Sequence, residues 1–263
     1  MKRFWFLLLG LCILLCSFSA CDNSSDIQVN KDDNNTVASE NPTDSKPTVG
    51  ESGPGNDPID VGSVYVFGSY EQDNNPENGA EPVEWIVLAK TDDSVLLISK
   101  YALDQQKFHE TLEDITWENC TLRAWLNDTF LQNIFTEADQ ERVLETAVSA
   151  ENNATFGTDA GNDTVDKIFL LSASEALGYF ASDAERVCQP TEYAKANGAA
   201  TSSEKKDLGN CWWGLRSPGD QYQSHIAYIA PSGQVYDGDG YETGFNVDSG
   251  VLAVRPALWV KIG

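Results

Sequence analysis

Apolar and polar positions divide the chain into three zones. Phe4 to Phe18 is an apolar run, Asp22 to about Pro58 is almost wholly polar, and from Ile59 onward apolar residues return in short periodic runs. Within the last zone, Val61–Gln72 and Val83–Leu103 alternate or run apolar with β-branched residues, which predicts three strands. The second and third would form a hairpin turning at Thr91-Asp92-Asp93, with Asp73–Pro82 as a loop. Leu122, Trp125 and Leu126, continued by Phe130, Ile134 and Phe135, have helical spacing and predict a helix over Trp117–Phe135. Thr136 is suited to cap a further turn, with Asp139 reaching back. Val143–Ala150 and Lys167–Ser172 read as short strands. The latter runs into a helix whose Ser172 and Glu175 fit a capping box. Thr191 can cap a short helix ending at Gly198. Cys211–Ser217, His225–Ala230 and Val251–Ile262 are strand-like, with a turn at Pro231-Ser232-Gly233. This order predicts an α+β fold, a single mixed domain with short helices on largely antiparallel sheets, and not alternating βαβ units.

The first zone has the pattern of a secretory signal peptide over residues 1–20. Lys2 and Arg3 precede the apolar run, and the small residues Ser19 and Ala20 precede Cys21. The run is shorter than the roughly 20 residues of a bilayer span. The ending FSAC is similar to a bacterial lipobox, with Phe18 where Leu is usual. On that reading Cys21 becomes the acylated first residue, and palmitate-type chains anchor it to the membrane. The alternative is an ordinary secretory signal with an incidental cysteine. Residues 21–58 carry no aromatic and are rich in Asp, Asn, Ser, Thr, Pro and Gly. Such a segment buries too little apolar surface to offset its ordering entropy, and it reads as a disordered acidic tether with a reach on the order of 35 Å. The globular domain is expected over 59–263.

The formal charge of −24 argues against nucleic acid or an anionic membrane surface as a partner. A solvated acidic surface and cation binding both remain compatible with it. Cys12 and Cys16 leave with the signal peptide, so Cys120, Cys188 and Cys211 remain. One disulfide and one buried thiol is the simplest arrangement outside the cytoplasm. No CxxC spacing points to zinc or a thioredoxin-type centre.

NCWWGLRSPGD (Asn210–Asp220) concentrates tryptophan and arginine. On a strand, Cys211, Trp213, Leu215 and Ser217 would face the core, while Trp212, Gly214 and Arg216 share the other face. Trp212 and Arg216 are therefore the candidate ligand-binding pair, an indole and a fork of donors flanking a gap at Gly214. The competing reading buries both tryptophans and pairs Arg216 with an acid beneath a loop. Asp159, Asn162, Asp163 and Asp166 lie within eight positions and are candidate calcium ligands, although the spacing is not that of an EF-hand and the same residues suit a solvated turn. Asp237–Glu242 is a weaker candidate of the same kind. His109 and His225 are the only histidines. HETLE (His109–Glu113) lacks the second histidine of a zinc-protease motif, and His109 reads as an exposed loop residue. No nucleophile elbow, Walker loop or dinucleotide turn occurs, and no pair of carboxylates stands out for glycoside hydrolysis. No catalytic residue is assigned.

TLRAWLN (Thr121–Asn127), GTDAGNDTVDKIFLLSASEA (Gly157–Ala176), CWWGLRSPG (Cys211–Gly219) and VRPALWVKI (Val254–Ile262) together resemble a bacterial extracellular family known as domain of unknown function 6273. The resemblance spans nearly all of Val61–Gly263. The chain departs at Gly214, where many members carry a third bulky aromatic. That family resembles, more distantly, C-type lectin-like and formylglycine-generating enzyme folds, which bind sugars, proteins or calcium and occasionally carry catalysis. The lectin-like analogy implies that the final strand pairs with Val64–Phe67, with Pro256 at an edge or bulge. Cys188 and Cys211, about twenty residues apart across a helix and loop, are the candidate disulfide, with Cys120 free. Redox catalysis of the formylglycine-generating type is the alternative. The expected function is a lipid-anchored surface protein with a non-enzymatic ligand-binding or adhesion domain for a glycan or protein. The alternatives are an extracytoplasmic enzyme, either a carbohydrate hydrolase or a degenerate relative of the formylglycine-generating fold, and a structural envelope protein.

Overall fold

The computed structural model describes residues 59–238 and 243–263. The expected signal peptide, Cys21, the expected tether, and Asp239–Glu242 of the weaker acidic candidate lie outside the described residues. The described residues form a single α+β domain around one continuous core. Among them, no helix is long and apolar enough to cross a membrane.

The three expected strands form as β1 (Val64–Tyr70), β2 (Glu81–Lys90) and β3 (Ser94–Ser99). The β2–β3 turn is locally determined. Thr91 Oγ1 accepts from the Ser94 N–H at 3.0 Å, and the Thr91 N–H donates to the Ser94 carbonyl at 2.8 Å. β3 is buried on both faces, which is why SVLLIS is a continuous apolar run. A bulge breaks the β1–β2 register between Val66 and Ser69. Gly68 sits there with φ of +72°, and a Cβ on it would come within 2.6 Å of the Ile134 carbonyl and the Phe135 ring. Only glycine serves both demands.

The chain then enters β4 (Asp104–Gln105) and a helical segment in three pieces. α1 (Thr121–Trp125), a π turn over Leu126–Phe130 and α2 (Leu131–Ile134) follow one another without a break. Leu122, Leu126, Phe130, Leu131 and Ile134 are buried along it, while Trp125 is half-buried with its ring 5.0 Å from that of Phe130. Asn127 explains the π turn. Its Oδ1 accepts from the Lys167 and Ile168 N–H groups at 2.8 and 3.1 Å, and its Nδ2 donates to the Ile168 carbonyl at 2.9 Å and to the Arg123 carbonyl at 3.0 Å. The helix widens so that one side chain can hold an extended segment forty residues away. Thr136 caps α3 (Glu137–Gln140) as expected, accepting from the Asp139 N–H.

Of Val143–Ala150, only β5 (Thr146–Val148) is a strand, paired with β6 (Thr164–Asp166) in a small separate hairpin. Lys167–Ser172 is extended but forms no ladder. Phe169 exchanges both backbone hydrogen bonds with Ala257, and the Leu171 carbonyl accepts from the Arg216 N–H. The segment bridges the two main sheets. The capping box of Ser172 and Glu175 opens α4 (Ala173–Tyr179), as expected. α5 (Asp183–Arg186) follows, and Thr191 caps α6 (Glu192–Ala196), which ends before Gly198 at φ of +117°.

β7 (Trp213–Pro218), β8 (His225–Ile229), β9 (Val235–Tyr236), β10 (Phe245–Asn246), β11 (Ala253–Val254) and β12 (Ala257–Lys261) complete the fold. The first sheet has the order β1-β2-β3-β12, and the second β10-β8-β7-β11-β4 with β9 on β8. The terminal strand therefore differs from the lectin-like expectation. β12 pairs with β3, and β1 forms the opposite edge of the same sheet. β2 and β3 lie between β1 and β12, so those two strands do not pair. Pro256 does interrupt a strand, as its missing N–H requires. The chain leaves the second sheet after β11 and enters the first at β12.

Candidate functional site

The sequence-derived binding pair does not form a surface site. β7 is buried on both faces, and Glu175 of α4 lies against the face that alternation would leave open. Arg216 is 5% exposed. It grips Glu175 through both terminal nitrogens at 2.5 and 2.8 Å, and it donates to the Leu170 carbonyl at 2.7 Å and the Ser149 carbonyl at 3.2 Å. Its donors hold α4 and the 149–151 loop, and they leave no fork for a ligand. Trp212 is half-buried against the core. The gap at Gly214 is internal, a cavity of about 10 Å³ lined by Phe108, Leu122, Leu170, Ile226 and Leu252.

The four candidate calcium ligands do not converge. Asp166 is fully buried and receives Arg123 Nε at 2.6 Å, Trp117 Nε1 at 2.9 Å and Thr164 Oγ1 at 2.6 Å. Asp163 accepts from the Ala150 N–H, Asn162 donates to Glu118, and Asp159 accepts from the Gly161 N–H. The three aspartates accept from different protein donors and Asn162 is itself a donor, as in ordinary loop structure. Among the described residues, the carboxylate cluster that could surround a cation is instead Glu71, Asp73 and Glu81 on the β1–β2 loop.

Cys120, Cys188 and Cys211 are all buried free thiols. Burial pushes Cys120 up to about 12. His109 is not the exposed loop residue expected. Its side chain is mostly buried, Nδ1 accepts from the Thr121 N–H at 3.3 Å, and Nε2 lies 3.0 Å from Glu113. It supports the start of α1. His225 pairs through Nδ1 with the buried Asp220 at 2.7 Å, while Asp220 also accepts from the Tyr222 and Gly244 N–H groups. His225 lines a small depression together with Thr116, Trp117 and Gln223.

A roomier recess among the described residues lies elsewhere, an open groove of about 380 Å³ beside the helical segment and the β5–β6 hairpin. It is lined by Arg123, Asn127, Glu145, Asp166 and Lys167, with Ala124, Leu131 and Val165 supplying apolar surface. Its size falls within the range of small-molecule sites, roughly 300–1,000 Å³. Asp166 neutralises Arg123 from below, and Asn127 is spent on the backbone of Lys167 and Ile168. Arg123 reaches the Glu118 carbonyl with one terminal nitrogen and makes only a 3.5 Å contact to the Val165 carbonyl with the other. Lys167 Nζ donates to the Gln140 carbonyl at 3.2 Å, leaving two of its three protons for a ligand. Glu145 is exposed on the rim and supplies acceptors. The groove thus offers donors and acceptors with charges that nearly cancel, above an apolar floor.

Arg123 and Lys167 were not singled out from the sequence. They lie in two of the stretches that carry the family resemblance, TLRAWLN and GTDAGNDTVDKIFLLSASEA, but nothing in linear order shows that these stretches share one recess. A search of the curated proteins and of the solved structures found no match. The family model described as Domain of unknown function (DUF6273) matches residues 92–262, from the β2–β3 turn through β12, and the chain belongs to that family.

Proposed function

We propose that this chain is a lipid-anchored surface protein, tethered to the membrane through Cys21, whose domain is a non-enzymatic binding module. The observation that carries the reading is the groove lined by Arg123, Lys167 and Glu145. Its near-zero local charge in a chain of net charge −24 suits a neutral, hydroxyl-rich ligand such as a glycan better than a strongly ionic one. Hydroxyls can take the spare protons of Arg123 and Lys167 and donate to Glu145, while a sugar ring's C–H face lies on Val165 and Leu131. A glycan array probed with the full chain, and with Lys167→Gln and Glu145→Gln, tests this. Both side chains reach solvent, so neither substitution endangers the fold. We expect the wild type to select a glycan class and each variant to lose tenfold or more in affinity. Unchanged binding by both variants would move the site away from the groove.

A second reading is an extracytoplasmic hydrolase, and the Asp220–His225 pair favours it. A buried carboxylate that orients a histidine beside a depression is the arrangement of a general base. Release of product from a bound glycan, abolished by His225→Gln, would support the enzyme over the binding module.

A further inference from the structure

Cys188 and Cys211 are neighbours in space as well as buried. The Cys211 N–H donates to the Cys188 carbonyl at 2.9 Å, and Cys211 Sγ lies 3.4 Å from the same oxygen. Cys188 Sγ lies 3.7 and 3.5 Å from the Lys100 and Gln189 carbonyls. Cys188 follows α5, and Cys211 immediately precedes β7. A bond between them would tie the irregular α5–α6 region to the central strand of the second sheet.

The surroundings single out one sulfur. Arg255 is 1% exposed, and its guanidinium lies over the rings of Trp213 and Phe180 at 4.9 and 5.5 Å. It donates to the Ser99 and Arg186 carbonyls at 3.0 and 3.1 Å. Among the described residues it forms no ion pair with a carboxylate, so the anion that can form beside this buried cation is a thiolate. Burial opposes ionisation of Cys188, but the Cys211 thiol and Arg255 outweigh it and bring Cys188 down to about 7. Cys211, buried beside Cys188, is pushed well up.

We propose that Cys188 and Cys211 are a covalent modification site, joined as a disulfide by a thiol–disulfide oxidoreductase as the chain folds. Whichever thiol ionises first attacks, as its thiolate, one sulfur of the oxidant's disulfide. That S–S bond breaks, a mixed disulfide forms, and one oxidant thiol is released. The remaining thiol then loses its proton and attacks the cysteine sulfur of the mixed disulfide, releasing the second oxidant thiol. Two electrons and two protons have passed from the pair to the oxidant. Once formed, the bond is sealed by the burial that both sulfurs share. Cys120 lies at the start of α1, where its sulfur accepts from the Arg123 N–H, and takes no part. The proposal draws on the extracytoplasmic reading only for its oxidant.

The test is mass mapping of the full chain, alkylated without reduction. One sample is exported by the cell, and another is purified reduced and refolded with oxidised glutathione. We expect a Cys188–Cys211 link in both, with Cys120 alkylated only after denaturation. Reduction should lower Tm by roughly 6–12 °C for a loop of this length, and a Cys188→Ser/Cys211→Ser variant should melt at the reduced temperature whether or not reductant is present. A link in the refolded sample alone supports the pair and instead counts against export to an oxidising compartment. Two alkylated thiols in both samples, or a link through Cys120, overturns the proposal, and neither result depends on the variant folding.

Discussion

Replacing Glu175 by alanine isolates the strongest electrostatic element of the second sheet. The Glu175 carboxylate does two jobs at once. It accepts from the Ser172 N–H at 2.9 Å, closing the capping box of α4, and it holds both terminal nitrogens of Arg216. In Glu175→Ala the Arg216 guanidinium keeps its carbonyl partners but becomes a buried charge without a counter-ion. Breaking such a pair costs about 3–5 kcal/mol. Glu175 is 29% exposed and keeps some water, so the low end applies, about 3 kcal/mol. Loss of the cap adds about 0.5–1 kcal/mol. A total of about 3–4 kcal/mol corresponds to a fall in Tm of roughly 6–16 °C for a domain of this size. Urea denaturation measures the cost, and the double variant Arg216→Met/Glu175→Ala measures its origin. With the stranded charge removed, the double variant should be at least about 1 kcal/mol more stable than the sum of the singles. A cost below about 1 kcal/mol for Glu175→Ala, the value of an exposed ion pair, would refute the reasoning, and so would strict additivity.

Three further outcomes follow from other parts of the molecule. Gly68→Ala should cost about 2–4 kcal/mol, combining positive-φ strain with overlap at Ile134 and Phe135, measured by thermal melting; a neutral effect would mean that the β1 bulge can shift. Burial raises Asp104 above the usual carboxylate value even though Tyr70, Asn197 and the Gln105 N–H donate to it. Because its folded pKa lies above its unfolded one, its contribution is greatest at acid pH and falls as pH rises through the folded value. The stability margin of wild type over Asp104→Asn should therefore shrink between pH 4 and pH 7, and a margin that widens would contradict burial as the dominant cause. Cys21→Ala should block acylation and release from the precursor, read by metabolic labelling with palmitate; normal processing and membrane retention of the variant would remove the lipobox reading.

What the sequence determined by itself was whatever depends on neighbours within a few positions. The Thr91–Ser94 turn, the caps at Thr136, Ser172 and Thr191, and the turn at Pro231–Gly233 all close within three or four residues, and all appear where local chemistry puts them. Strand alternation also located β1, β2 and β3, and it assigned Trp213 and Leu215 to the core. It put Arg216 on an open face, because an alternating pattern describes a sheet open on one side, whereas α4 closes that side here and its Glu175 pairs with Arg216, as the competing reading of an acid partner expects. The π turn could not be read from helical periodicity, because its cause is the bond from Asn127 to residues 167 and 168. Asp166 reads as a metal ligand in its acidic run until tertiary structure places Arg123 and Trp117 against it. The pairing of β12 with β3 follows from the β2–β3 hairpin lying between β1 and the chain's last strand. The groove follows the same logic. Arg123 and Lys167 come from stretches forty residues apart, and only packing of the helix beside the β5–β6 hairpin makes them the walls of one recess. Local hydrogen bonds are encoded by adjacent residues, whereas burial of a charge and the shape of a cavity are properties of segments that meet only when the chain is folded.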